Sequence, residues 1–289
     1  MERKFILSAE SACDFTPALA EKYDVKVMPM KYYIGEEEFS SADANDTDEL
    51  YRRMKAGEVT KTTQPNDFEV REFLEGLLQE GKDILHLSFS SGMSGTAATF
   101  ARVAAELNKT NANKIYVVDT LCQSSGVALL LTILADKLAR EDLSAQEARD
   151  FVENTKMSIM HYFVVETLTY LARGGRVSPV LAKIGNLLKL KPLLQVNDEG
   201  KIVQLAKHIG RKRSIVALID KFKQNYNGAS KFVYISHADC LAEAEGIKAE
   251  LEKLYPELNI CISPLGPIIA SHSGPGTLAL YFTADKRMG

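Results

Sequence analysis

The four cysteines of this 289-residue chain, Cys13, Cys122, Cys240 and Cys261, include no C-x-x-C pair. They read as reduced thiols, as in a cytoplasmic protein. No apolar run approaches the ~18 residues that a membrane span needs. The longest, residues 127–134, makes about two helical turns at ~3.6 residues per turn. Residues 1–4 lead directly into a strand-like run and lack the long apolar core of a signal peptide. The net charge of -3 offers no basic footprint for nucleic acid. The histidines are His86, His161, His208, His237 and His272, and no two have metal-ligand spacing. These absences predict a cytoplasmic protein with no metal, no cofactor, no nucleic-acid partner and no stable membrane insertion.

What is present is an ordinary globular composition, 46% hydrophobic and 25% charged, long enough for one large or two medium domains. Residues 5–8 read as a strand, and Thr16-Pro17 opens a helix to about residue 23. Residues 25–34 read as one strand. Thr47 is the expected cap of a helix to residue 54, and Asn66 that of a helix over 68–79. A strand at 83–89, a helix at 95–107, a strand at 114–118 and a buried helix at 126–140 follow. This βαβ rhythm predicts a parallel sheet covered by helices, with ligands bound beyond the carboxyl ends of its strands. The loops at 90–96 and 119–126 lie at such ends. The second half differs. Asn197-Asp198-Glu199-Gly200 between two strand-like runs signals a hairpin. Further strand-like runs at 159–165, 231–236, 259–263 and 277–283 alternate with helices, an α+β pattern with a mixed or antiparallel sheet. The expected division is an N-terminal α/β domain, 1–156, and a C-terminal α+β domain, 157–289.

Three Ser/Thr/Gly-rich segments carry the chemistry: Thr62-Thr63-Gln64-Pro65, Ser90-Ser91-Gly92-Met93-Ser94-Gly95-Thr96 and His272-Ser273-Gly274-Pro275-Gly276-Thr277. Such segments present hydroxyls and bare N–H groups, which suits an anion held by neutral donors, for instance a carboxylate. Nucleotide motifs fail on inspection. Gly76-x4-Gly81-Lys82 is followed by Asp83 instead of Ser/Thr and runs from helix into strand, the reverse of a phosphate loop. Gly274-x-Gly276-x-x-Ala279 leads into a strand, so no helix N-terminus would face a pyrophosphate. Gly92-Met93-Ser94-Gly95 resembles a nucleophile elbow but has Thr96 where the last glycine belongs. An esterase with Ser94 as nucleophile, His272 as base and Asp119 as orienter is therefore the alternative. The bland reading of Ser94 is a helix cap, and that of His86 is a core or lining residue. Basic residues gather at Arg173, Arg176, Lys183, Lys189, Lys191, Lys207, Arg211, Lys212 and Arg213, either a solvated face or a docking face for an acidic partner. The apolar runs at 127–134 and 180–194 are either core or the lining of an acyl tunnel.

Taken in order, these motifs resemble the DegV family of bacterial fatty-acid-binding proteins. The first is similar to the family's T-S-Q-P, with Thr63 in place of the common serine, and the second to S-S-x-L-S-G-T. Val118-Asp119-Thr120 with Ser125-Gly126, the stretch Leu168-Thr169-Tyr170-Leu171-Ala172-Arg173-Gly174-Gly175-Arg176, Leu190-Lys191-Pro192, Gly200, Arg211-Lys212-Arg213 and the final His272 segment follow the family order. The resemblance implies a two-domain DegV-like α/β fold with a long-chain fatty acid in an apolar tunnel between the domains. It implies a carboxyl site made by Thr62, Ser94 and His272, with Thr63 and Gly95 beside it. It also implies that the chain is a carrier and not the catalyst: a separate ATP-dependent fatty acid kinase, feeding phospholipid synthesis, would phosphorylate the presented carboxyl to an acyl phosphate. Arg173, Arg211 and Arg213 are then the expected docking residues for that kinase.

Overall fold

The computed structural model describes residues 3–42, 47–178 and 190–287. In the first half, β1 (Phe5–Glu10), β2 (Val25–Met28), β6 (Asp83–Ser88) and β7 (Ile115–Asp119) form a parallel sheet in the order β2-β1-β6-β7. All six residues of β1 are buried, as expected for a parallel strand covered on both faces. The chain passes from β1 to one side of the sheet and later returns to the other. A crevice therefore opens between the carboxyl ends of β1 and β6, where ligands of such sheets bind.

The helices form where the signals place them. Thr16 Oγ1 accepts from Leu19 N–H ahead of α1 (Pro17–Lys22). Asn66 and Glu69 close a reciprocal capping box on α3 (Asp67–Leu78). Thr47 precedes α2 (Asp48–Lys55) but makes no side-chain capping bond, contrary to expectation. α4 (Thr96–Leu107) follows β6, and α5 (Ser125–Leu138) follows β7. α6 is Ala145–Thr155.

One strand reading is corrected. Residues 25–34 are two strands in two sheets, because Pro29 has no N–H to continue a ladder. Met30 N–H turns instead to the hydroxyls of Ser11 and Ser41. Beyond it, β3 (Lys31–Ile34) lies between β4 (Glu37–Ser40) and β5 (Thr60–Thr62) in a small antiparallel sheet that sequence reasoning did not foresee.

The second half builds a mixed sheet from β8 (Ile159–Val164), β9 (Leu190–Val196), β10 (Ile202–Ile209), β11 (Phe232–His237), β12 (Asn259–Pro264) and β13 (Leu278–Thr283). Their order is β10-β9-β8-β13-β11-β12, with only the β11–β12 pair parallel. Among the described residues its helices are α7 (Thr169–Arg173), α8 (Arg211–Asn225), α9 (Leu241–Leu254) and α10 (Pro267–Ser273).

α5 lies between the two large sheets. Val127 to Leu131 are fully buried and share one core with Leu85 and Leu87 of the first sheet and Phe163, Tyr234 and Tyr281 of the second. The run 127–134 is thus core, not tunnel wall. The halves also meet where Ser90 Oγ donates to Gly200 O at 2.8 Å, joining the Ser/Gly loop to the hairpin tip.

The parallel sheet holds a sealed polar network. His86, with no exposed surface, bonds Ser8 Oγ through Nδ1 and Glu10 Oε2 through Nε2, each at 3.0 Å, and stacks on Phe100. Glu10 Oε1 accepts from Ser88 Oγ at 3.0 Å and from Phe89 N–H at 2.6 Å. His86 is a core residue, and Glu10 holds the point from which the Ser/Gly loop departs.

Candidate functional site

A cavity of about 300 Å³ opens at the crevice between β1 and β6, in the range of small-ligand sites. The three Ser/Thr/Gly segments converge on it, although more than 170 positions separate the second from the third. Thr62, Thr63, Ser94, Gly95 and His272 all line it.

Each is held by its element. Thr62 ends β5, and its Oγ1 lies 2.7 Å from His272 Nε2 at the end of α10. A second bond, Thr60 Oγ1 to Ser271 O at 3.0 Å, fixes β5 against α10. Thr63 is anchored through its N–H to Lys31 O at 3.2 Å. Gly95 caps α4, so the positive end of that helix's dipole faces the cavity and favours an anion. Ser94 sits just before it, with Oγ 2.8 Å from Thr96 Oγ1. Gly174 lets the backbone approach the imidazole: a Cβ there would lie 2.2 Å from His272 Nδ1.

Burial, and then the nearby Arg176 guanidinium, pull the His272 pKa down to about 4. The ring is neutral at physiological pH. Arg176 lines the same cavity, half-buried, and its own pKa is lowered by burial. This amends the expectation of neutral donors alone. In the sequence Arg176 belongs to a basic cluster that reads as a solvated or docking face, and nothing in its spacing shows which way it turns. Gln64 of the first segment also lines the cavity, as does Gln123, which sequence reasoning did not single out; Gln64 Nε2 donates to Thr99 Oγ1 at 2.9 Å and so ties the first segment to α4.

Much of the rest of the wall is apolar, with Met30, Phe89, Met93, Leu171, Ile202, Leu265, Ile268 and Ile269, while Thr96, Ser273, Thr277 and Tyr281 are its further polar members. The tunnel candidate at 180–194 lies largely outside the described residues, as do Lys183 and Lys189.

No hydrogen bond joins Ser94, His272 and Asp119, the residues of the esterase alternative, to one another among the described residues. His272 bonds Thr62, Ser94 bonds Thr96, and Asp119 Oδ1 accepts from the N–H groups of Ser91 and Leu121, each at 3.1 Å. A nucleophile–base–orienter relay needs these groups bonded to one another.

The three expected docking arginines differ. Arg173 is exposed, with its guanidinium 5.7 Å from the Tyr170 ring centre. Arg211 is half-buried and held by Glu243. Arg213 is exposed one residue beyond Lys212. Tyr170 and Arg211 face a common crevice of about 450 Å³ with Pro275 and Gly276 of the third segment.

A family model described as "Uncharacterised protein, DegV family" matches residues 4–285. The chain belongs to the DegV family. A DegV domain-containing protein of Clostridium perfringens is 34% identical over 289 residues, covering 99% of both chains. A Thermotoga maritima relative named a fatty acid-binding protein is 31% identical, covering 98% of this chain and 99% of its own. Among solved structures, a DegV lipid-binding protein of Thermotoga maritima superimposes with a TM-score of 0.84 at 28% identity, covering 99% of this chain and all of that one. The DegV fold, parallel sheet first and mixed sheet second, is thereby established for this chain. Among the described residues, no helix is long and apolar enough to cross a membrane.

Proposed function

We propose that this chain binds a long-chain fatty acid and presents its carboxyl group to a separate fatty acid kinase. Residues 1–156 and 157–289 act as the two domains that enclose the ligand. The observation that carries the reading is the Thr62–His272 pair, bonded at 2.7 Å, at one end of a cavity whose remaining wall is largely apolar. The fatty-acid-binding relatives support it.

The energetics suit such a ligand. A C16 acid has about 14 methylenes, and at ~0.8 kcal/mol each their burial contributes on the order of 11 kcal/mol before ordering costs. The head group is the difficult part, since a bare buried carboxylate is strongly unfavourable. Here Thr62 and Ser94 supply hydroxyl donors, with Thr63 and Gly95 beside them. With its one proton on Nε2, neutral His272 donates to Thr62 Oγ1, and the Thr62 proton turns toward the ligand. Arg176 adds positive potential without a carboxylate partner of its own in the cavity lining. The head group is thus held by donors that leave an oxygen open to phosphorylation, and the chain acts as carrier while the kinase supplies ATP and catalysis.

Arg173 and Arg213 are the exposed part of the kinase-docking face, and Arg211 braces it through Glu243. Arg211, Lys212 and Arg213 occupy the first turn of α8, where the helix dipole favours acidic residues. Retaining three cations there is better explained by a partner than by stability.

Native mass spectrometry of the purified protein, followed by lipid extraction, tests the reading. A stoichiometric fatty acid adduct is the expected result. A ligand-free mass that stays unchanged after incubation with assorted fatty acids would sink it.

A further inference from the structure

Leu265, Ile268, Ile269, His272 and Ser273 all line the cavity. Ile268, Ile269, His272 and Ser273 share one face of α10 at i, i+1, i+4 and i+5, and Leu265 lies just before its N-cap, Gly266. This lining changes character along its length. It is aliphatic at its start and polar at its end, where Thr62 meets His272. This gradient orients a bound acid: chain toward Leu265, head group toward His272 and Ser273.

Ser273 is only 5% exposed, and its Oγ has no hydrogen-bond partner among the described residues. Its neighbours behave differently. Ser271 Oγ donates to Pro267 O at 2.7 Å, four residues back, and Thr277 Oγ1 donates to the carbonyls of Ser273 and Gly274. Ser273 makes no such local bond. A buried hydroxyl left unpaired is unfavourable, and buried hydroxyls are normally satisfied.

We propose that Ser273 is a further head-group ligand, its hydroxyl donating to the carboxylate of the bound fatty acid alongside Thr62 and Ser94. A carboxylate offers about four lone-pair sites, enough for all three hydroxyls. The inference rests on the fatty-acid reading above and extends it by one residue.

The test compares the delipidated parent with Ser273→Ala, titrating each with myristic, palmitic and stearic acids. Ser273→Ala should bind all three about tenfold more weakly, by the same factor for each, because a head-group contact is blind to chain length. The Tm of ligand-free Ser273→Ala should not fall, because the hydroxyl it removes bonds nothing. Ser273→Cys, nearly isosteric with a weaker donor, should lie between the two in affinity. Equal affinity of parent and Ser273→Ala overturns the inference alone. A loss that varies with chain length overturns it too, since the contact would then be with the tail. A lowered ligand-free Tm would show a structural bond instead. Failure of the parent itself to bind any of the three acids overturns the fatty-acid reading, and this inference with it.

Discussion

Two histidines of this chain meet hydroxyls, and the contrast between them separates core from site. His86 is sealed in the parallel sheet. Both ring nitrogens are bonded, to Ser8 and Glu10, and the second Glu10 oxygen is taken by Ser88 and Phe89. Nothing is left for a ligand. His272 bonds one hydroxyl, Thr62, and shares its cavity with Ser94, Arg176 and the unpaired Ser273. Similar side chains make a strut where every hydrogen-bonding group is satisfied and a candidate site where some stay open.

The widest gap between the two should appear on removing the acid of the sealed network. Glu10→Ala strands His86, the Ser88 hydroxyl and the Phe89 N–H in a buried space. At ~1–3 kcal/mol for each unpaired group, plus a cavity term, the expected loss is about 5 kcal/mol, read as a lowered urea midpoint. A loss under ~1 kcal/mol would mean that the sealed network contributes little, and the contrast would collapse.

Asp14 stands between the cases. Its carboxylate accepts from Ser124 just before α5 and from Gly266 N–H, the N-cap of α10, at 2.9 Å. Burial pushes its pKa up to about 7, against the pull of these bonds. Its folded pKa therefore lies above its unfolded value. Its contribution to stability is complete below about pH 4 and is lost as pH rises through about 7. Three units correspond to on the order of 4 kcal/mol. Asp14→Asn keeps an acceptor for Gly266 and a group for Ser124 but cannot titrate. Unfolding free energy measured between pH 4 and 8 should fall in the parent relative to this variant. Parallel profiles would show that Asp14 does not titrate in this window.

His272 has the opposite sign. Its folded pKa of about 4 lies below its unfolded value, so its contribution is present above about pH 6.5 and is lost as pH falls through 4. Ligand binding between pH 6 and 8 should show no His272 inflection. Thr62→Ala and Ser94→Ala, which remove hydroxyl donors to the charged head group, should each weaken palmitic acid binding by about ten- to a hundredfold, and His272→Ala, which acts through Thr62, by about tenfold. Unchanged lipid binding and kinase turnover in both Thr62→Ala and Ser94→Ala would remove the hydroxyls from the site.

Much of this contrast can be read in the chain before the fold is known. The three segments announce themselves by composition, and the βαβ rhythm places the Ser90 loop at a strand end. Asn66 and Thr16 cap where their types predict. What escapes is set by long-range packing. The apolar run at 127–134 could have lined a tunnel, and only its position between two sheets makes it core. Residues 25–34 keep a strand pattern across Pro29 while the chain changes sheets. Nothing in the sequence singles out Arg176 and Ser273 as cavity residues, because one reaches the cavity from a Gly-Gly turn and the other differs from Ser271 only in what its hydroxyl fails to meet.

The smallest effect concerns the outer surface and tests whether open valences extend beyond the cavity. Arg211 resembles the sealed case, since Glu243 satisfies it. Arg173 resembles the open one: it is exposed, with its guanidinium over the Tyr170 ring. Arg173→Glu should therefore leave palmitic acid affinity within a factor of two. It should reduce kinase turnover of the bound acid several-fold, more at low salt than at high, because a rim charge acts mainly on encounter. Arg211→Glu should instead destabilise the fold by breaking the Glu243 pair. Loss of lipid affinity together with turnover in Arg173→Glu would place Arg173 with the structural arginines and leave Arg213 as the exposed cation of the proposed face to test next.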